Sequence, residues 1–573
     1  MTYFGNVNPE LLRWVPLAAG RVLELGCGEG ALAAAYKARN PLGHYTAVEM
    51  HGPSADHAET VVDRLLRGDF EAMSDAEITG GEPFDAIVLG DVLEHFRDAD
   101  AVLARLYRLL GDDGHLVLSV PNVGHWSALY HLINGRWPSD DSGLFDRTHL
   151  RFFTLASLED ALVRAGYRTR KVRPRQFLLD RDTAQQWIGP LADVARHMGL
   201  DRQAFIQRAS TLQYVVVAEK TARPAAPLVH VEIAALAPRL MDVRTRLPAE
   251  QLQSVPDLTV GYQESEARLP HLPVDAPKVL VIQRAAPRDP VAWTGTIAHA
   301  VRHGWIVVAE LDDHPDLMAR VHHQPDSPLK WLATAAAHAV QTSTLPLAHA
   351  IRAHNHEVAV FPNTAFALPP FPERGAGPAR VFYGALNREG FSGPVAASLA
   401  AAIAAHPDTE FTVVHDRRFF EMLPTERKRF LPAQPYDAYL EAMAACDIVL
   451  MPLEGLEAET FKSDIKYVEA ASQGVAAIAS PAVYAESIRD GETGLIAQTL
   501  ADWAPLLTGL LDDPARRRAL ARAAWEGVRD ARMFADQAQA RADWYARLWE
   551  RREELHAALV ARLPALPHRF GEG

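Results

Sequence analysis

The sequence is poor in the features that mark several protein classes. It has two cysteines in 573 residues, Cys27 and Cys446, too few for a disulfide framework or a thiolate zinc site. It has no run of about twenty apolar residues, and its N-terminus, MTYFGNVNPELLRW, does not lead from a basic segment into an apolar one. The expectation is a cytoplasmic protein without a membrane span, at most peripheral at the inner face of the membrane. Positive charge is in deficit: the formal net charge is −14, which opposes the phosphate contacts that nucleic-acid binding needs. No H-E-x-x-H or paired-cysteine spacing is present and the histidines are scattered, so no metal is expected.

What is present is the composition of a folded protein, with 48% hydrophobic and 23% charged residues. The length predicts several domains. Short Val/Ile/Leu-rich runs alternate with helical patterns, which predicts an α/β fold with parallel sheets throughout. RVLELG, HYTAVEM, FDAIVLG and HLVLSVP, then residues 169–172 and 212–218, make a first unit over residues 1–220. TARPAAP reads as a linker at 221–227. A second series, VHVEIAALAP, DLTVGY, KVLVIQR, WIVVAEL, HAVQTS and EVAVFPN, fills 228–375. After LPPFPERGAGPAR a third, RVFYGAL, EFTVVHD, DIVLMPL and VAAIAS, runs with C-terminal helices over 376–573. Two similar α/β units in tandem suit a ligand between two lobes.

In the first unit LELGCGEG follows a strand and precedes a helix, a spacing that lets backbone approach a ligand closely. Glu49 ends the next strand, where a carboxylate can accept the hydroxyls of a ribose. Asp69, at a third strand end, suits an adenine amine, with Phe70 available to stack. With FDAIVLGDVLEHF and LLGDDGHLVLSVPN, these motifs resemble the class I S-adenosylmethionine-dependent methyltransferases over about residues 1–220, particularly the branch of quinone-biosynthesis O-methyltransferases. The resemblance implies a Rossmann-like domain. It also implies a cofactor site with Glu24, Gly26, Gly28 and Gly30 around the methionine part, Glu49 at the ribose, Asp69 at adenine with Phe70 beside it, and Asp91, Val92 and the segment to His95 beneath the sulfonium, Cys27 and Met50 belonging to the same site.

Transfer to a hydroxyl needs an in-line oxygen and a group to take its proton. Candidates are His149, His95 and His125, with Asp146 orienting His149 in GLFDRTHLRFFT, a segment placed to cover the acceptor. Trp126, Tyr130 and Trp137 could stack on a sugar ring or simply pack the core.

In the second unit Asp312, Asp313 and His314 end a strand. In the third, FKSDIKYVEAASQG offers Ser463 as a helix cap, a helix N-terminus for a diphosphate, cationic Lys462 and Lys466, and Glu469 two turns in. This resembles the GT-B glycosyltransferases with family-four-like C-terminal lobes over about residues 228–550. The resemblance implies Glu469 at the ribose of a nucleoside-diphosphate sugar, with Lys462 and Arg388 at its diphosphate. The family's second glutamate is replaced by Phe461.

The fold expected is therefore a Rossmann-like methyltransferase domain followed by a two-lobed GT-B glycosyltransferase. The function expected is methylation of a hydroxyl, of a sugar on the favoured reading, together with sugar transfer to a glycan or lipid-linked glycan in surface-polysaccharide assembly. The alternatives are a small phenolic or quinone-like acceptor, or one catalytic domain joined to a non-catalytic glycan-binding module.

Overall fold

A computed structural model describes residues 5–176, 181–236, 242–317, 329–375, 377–385 and 389–563. The chain divides into two compact units, one of residues 1–226 with 253–257, the other of 227–252 with 258–573. The division falls inside the expected linker.

Unit 1 is one seven-stranded sheet: β1 (Arg21–Leu25), β2 (His44–Glu49), β3 (Arg64–Arg67), β4 (Phe84–Gly90), β5 (Leu110–Pro121), β6 (Tyr167–Arg175) and β7 (Gln213–Lys220). Their order is β3-β2-β1-β4-β5-β7-β6. The first five run parallel, and β7 inserts antiparallel between β5 and β6. Leu23, Leu25, Ile87 and Leu89 enter one apolar cluster while Val22, Ala86 and Val88 enter another, so both faces of the central strands are covered. This explains why these strands read as continuous apolar runs.

Unit 2 holds two six-stranded, all-parallel sheets. The first contains β8 (Val229–Ala235), β9 (Leu258–Glu264), β10 (Lys278–Gln283), β11 (Ile306–Leu311), β12 (Ala339–Thr342) and β13 (Val358–Val360), in the order β13-β12-β11-β10-β8-β9. The second contains β14 (Arg380–Gly384), β15 (Glu410–Val414), β16 (Lys428–Leu431), β17 (Ile448–Met451), β18 (Ala476–Ala479) and β19 (Leu495–Ile496), in the order β16-β15-β14-β17-β18-β19.

The C-terminal helices depart from the expected division, because they do not all stay with the second lobe: Ala535–Glu550 and Arg552–Arg562 return to the first. Tyr545 donates to Gln341 Oε1 at 2.8 Å, Arg562 donates to the carbonyls of Ala335 and Ala337, and Leu559 joins the apolar cluster of Leu280 and Val307. The chain thus crosses between the lobes twice, which ties them into one unit.

Candidate functional site

In unit 1 the strand order reverses between β1 and β4, the point where the loops leaving a doubly wound sheet diverge. Gly26 follows β1 with φ +65°, and a Cβ there would lie 2.7 Å from Val92 Cγ2. The glycine loop therefore packs directly on the segment that leaves β4. Gly30, at φ +80°, begins α1 (Ala31–Arg39), and a Cβ on it would lie 3.2 Å from the Ala58 Cα. Glu49 is buried at the end of β2 and accepts the N–H of Gly28 at 2.8 Å and that of His51 at 2.7 Å, one on each oxygen. It braces the loop, and only its remaining lone pairs are available to a ribose. Met50 beside it is 75% exposed. Glu24 is buried under the loop, accepts the Tyr45 hydroxyl at 3.0 Å, and has its pKa pushed up to about 7 by burial and by the charge of Glu49. Burial likewise pushes the Cys27 thiol up.

Leaving β4, Asp91 has φ +55°, a conformation that costs a side-chain-bearing residue energy unless its surroundings hold it. Here they do. Its carboxylate accepts Gln213 Nε2 at 2.5 and 2.6 Å and the Ser119 hydroxyl at 3.1 Å, and Gln213 in turn accepts Arg175 at 2.7 Å and Asn8 at 3.3 Å. Burial raises the Asp91 pKa, opposed by Gln213 and Ser119. One short turn later comes Glu94, buried, with only its own backbone N–H and no donor from another residue at its carboxylate. Desolvation raises its pKa well above the ordinary range, and the charge of Asp91 adds to this.

Two histidines complete this corner. His149 Nε2 lies 3.9 Å from Glu94 Oε1, and the His95 and His149 rings meet edge-on at 4.8 Å. His149 Nδ1 faces the Leu144 carbonyl at 3.3 Å, and burial and nearby His95 lower its pKa. His95 Nδ1 faces Thr148, at 3.1 Å from the hydroxyl, and Thr148 donates that hydroxyl to Asp146 Oδ1 at 2.6 Å. Beside them Trp137 and Phe152, each 43% exposed, pack edge-on at 5.1 Å.

In unit 2 the second sheet reverses between β14 and β17. β14 ends at Gly384, whose carbonyl accepts Lys466 Nζ at 2.6 Å from the first turn of α2 (Ile465–Ser472). The α2 start has no side-chain cap, so its N–H groups keep their affinity for an anion. Glu469, fully within α2, is buried and hydrogen-bonded by Tyr436, and burial lifts its pKa to about 7 against the pull of Lys466. Lys462 Nζ reaches Asp313 Oδ1 of the first lobe at 3.4 Å, while Arg284 clamps Asp312 and Asp313. A cavity of about 560 Å³ opens between the lobes, lined by Thr344, Thr364, Lys462, Ser463, Asp464 and Arg532 among others. Glu469 and Lys466 do not line it. Glu469 and Lys466, at the β14–β17 switch point, therefore lie apart from the lining of this cavity.

Comparison with known proteins divides the chain the same way. Residues 4–172 match the family model of a methyltransferase domain, and residues 392–542 match that of a glycosyl transferase-like domain. The chain carries two transferase domains. The malonyl-[acyl-carrier protein] O-methyltransferase of Geobacter sulfurreducens is 32% identical over 26% of this chain and 57% of its own length, so the chain spans little more than half of that relative. The ubiquinone biosynthesis O-methyltransferase of Psychrobacter arcticus is 26% identical over 34% of this chain and 84% of its own. A crystal structure of a mutant of S. aureus TarM in complex with fondaparinux, alpha-GlcNAc-glycerol and UDP aligns over 47% of this chain and 55% of that one, at 8% identity and a TM-score of 0.36.

Within the methyltransferase domain the structure corrects three expected roles. Phe70 is not an open stacking face: its ring is 4% exposed in the core, edge-on to Phe96, with the Arg105 guanidinium 4.3 Å from its centre. Exposed Asp69 caps the turn Phe70–Ala72 by accepting the Glu71 N–H at 2.9 Å. His125 is a buried helix cap for Trp126–Ile133, accepting the Ser127 N–H, and its pKa falls to about 4 through burial, which makes it a poor base. Asp146 orients His95 through Thr148 rather than the side chain of His149. Trp126 and Tyr130 pack edge-on at 6.5 Å.

In the glycosyltransferase domain Ser463 is not the cap. Asp464 holds that position, engaged bidentately by Arg532, while Ser463 accepts Asn363 Nδ2 at 2.7 Å. Phe461, in place of a second glutamate, stacks on His314 at 4.4 Å. Arg388 lies outside the described residues. The sequence placed Glu94 only within the segment Asp91 to His95, without singling it out, and gave no sign of Ser119, Gln213 or Tyr436. A carboxylate between Leu93 and His95 in an otherwise apolar stretch was the one available signal for Glu94.

No helix among the described residues is long and apolar enough to cross a membrane.

Proposed function

We propose that the chain is bifunctional, joining methyl transfer from S-adenosylmethionine to a hydroxyl with sugar transfer from a nucleoside-diphosphate sugar to a glycan, and that both serve polysaccharide assembly. The observation that carries the first half is the glycine loop braced by Glu49 and packed on Val92. It brings a cradle too tight for side chains against the segment bearing Asp91, Glu94 and His95. These residues fit the cofactor: Glu49 would hold the ribose, Asp69 the adenine, and the Gly26 to Gly30 backbone the amino-acid part. When bound, the cofactor supplies an electrophilic methyl group.

The chain's own residues then do three things. The Gln213–Ser119 network fixes Asp91 below the loop. The exposed edges of Trp137 and Phe152 offer the acceptor a ring-sized apolar surface beside His149, suited to the C–H face of a sugar. The acceptor's hydroxyl proton is lost at the corner formed by Glu94, His95 and His149. A phenolic acceptor suits the same aromatic edges and the named activity of the ubiquinone-type relative, so it is the competing substrate.

In the glycosyltransferase half, Glu469 and Tyr436 would take the ribose. The uncapped α2 start with Lys466, and Lys462 nearby, would stabilise the charge that builds on the departing diphosphate. The test is incubation of the full chain with both donors and either oligosaccharide or phenolic acceptors, read by mass spectrometry. Methylated and glycosylated saccharide supports the proposal; methylation of phenols alone shifts it to the small-molecule reading.

A further inference from the structure

We propose that Glu94, His95 and His149 form a binding site for one divalent transition-metal cation, of the zinc, manganese or cobalt class. The three side chains each bring one ligand atom to within 4.8 Å of the others. An ion held tetrahedrally with bonds of about 2.1 Å sets its ligands about 3.4 Å apart, so the cluster needs modest side-chain rotation to close on one. The independent observation is Glu94. Its side chain is 1% exposed, and beyond its own backbone N–H neither oxygen has a hydrogen-bond donor from another residue. A buried carboxylate normally has its oxygens satisfied by protein donors, and one left short of them demands a partner. The nearest candidate groups are the two imidazoles, with His149 Nε2 at 3.9 Å.

Those imidazoles are already arranged as metal ligands are. A ligating histidine ordinarily gives its other ring N–H to a carbonyl, hydroxyl or carboxylate, which fixes the tautomer and leaves the second nitrogen's lone pair for the ion. His149 sets Nδ1 against the Leu144 carbonyl. His95 sets Nδ1 against the Thr148 carbonyl at 3.3 Å and its hydroxyl, which Asp146 anchors in turn. In both rings Nε2 is the donor that remains. Two imidazoles and one carboxylate suit zinc-class ions better than magnesium or calcium, which prefer all-oxygen sets.

For what the ion does, though not for its binding, the inference rests on the methyl-transfer reading. An acceptor hydroxyl bound to it through oxygen is acidified, as water is. The O–H bond breaks with its electron pair left on oxygen, and the proton passes to solvent. That oxygen then forms the bond to the methyl carbon as the carbon–sulfur bond breaks and its electron pair stays on sulfur. The cluster thus serves as a Lewis-acid seat in place of a free histidine base.

The test uses the full chain, stripped with chelator and titrated with Co2+ while visible absorption is recorded, and separately with Zn2+ by calorimetry. One equivalent with a nitrogen/oxygen ligand-field spectrum is expected. Glu94→Gln and His149→Ala should each weaken binding by about 10–100-fold or more, with thermal unfolding confirming that they fold. S-adenosylhomocysteine binding is measured on the same samples: its loss would count against the methyltransferase reading, not against the metal site. No cation binding by the parent chain, or equal binding by both variants, overturns the inference and leaves Glu94 a protonated buried acid.

Discussion

Glu49→Gln is the perturbation whose outcome follows most directly from the geometry. The native carboxylate accepts one backbone N–H on each oxygen, from Gly28 at 2.8 Å and His51 at 2.7 Å, and is buried. An amide keeps one oxygen. Whichever way it turns, its NH2 faces one of those two N–H groups, so one hydrogen bond to a charged acceptor is lost and a buried donor is left without a partner. Hydrogen bonds to charged groups contribute about 1.5–3 kcal/mol, which predicts S-adenosylhomocysteine binding weaker by roughly 10- to 150-fold if, as proposed, the glycine loop and the ribose share this carboxylate. Titration calorimetry on the full chain reads the affinity, and thermal unfolding separates loop damage from global loss. Asp69→Ala calibrates the unfolding assay: Asp69 is exposed and caps a single short turn, so its loss should cost no more than about 1 kcal/mol. If Glu49→Gln binds the ligand like the parent, the bracing role and the cofactor site built on it are both wrong.

Three further outcomes follow. Glu469 has its pKa raised to about 7, above its value in the unfolded chain. Its protonated form therefore favours folding below about pH 4.5, and that contribution is lost as pH rises through about 7; nucleotide affinity, which needs the carboxylate as acceptor, should rise from about pH 6 to about pH 8 in the parent and stay flat in Glu469→Gln. Arg532→Ala leaves Asp464, 12% exposed, without its bidentate partner, and should destabilise unit 2 by about 3–5 kcal/mol in denaturant unfolding. His125→Ala removes a helix cap and should cost about 1 kcal/mol of stability while methyl transfer near neutral pH stays within a few-fold; a collapse of turnover in a folded variant would restore His125 to the chemistry.

The sequence made the sheet-building runs legible because the central strands are buried on both faces and so are uniformly apolar. All six strands of the first lobe fall where such runs occur. β16, KRFL, and β19, only two residues long, escaped because an edge strand needs neither length nor continuous apolar character. Glycine spacing and strand-end carboxylates were legible as a tight loop beside Glu49, since their chemistry is local. What stayed hidden was long-range. Gln213 reaches Asp91 across 122 residues, the C-terminal helices return to the first lobe, and Arg105 covers Phe70; none of these leaves a local pattern. Ser463 and Asp464 are both good caps by composition, and only the tertiary partners Asn363 and Arg532 decide which of them holds the position.

The central claim is that two donor sites coexist on one chain and are separable. The direct measurement is calorimetry of the full chain with S-adenosylhomocysteine and with nucleoside diphosphates, repeated for Glu49→Gln and for Glu469→Ala. The account predicts that each ligand saturates in the parent, that Glu49→Gln loses only the first, and that Glu469→Ala loses only the second. Failure of either ligand to bind the parent chain, or loss of both in a single folded variant, would contradict it.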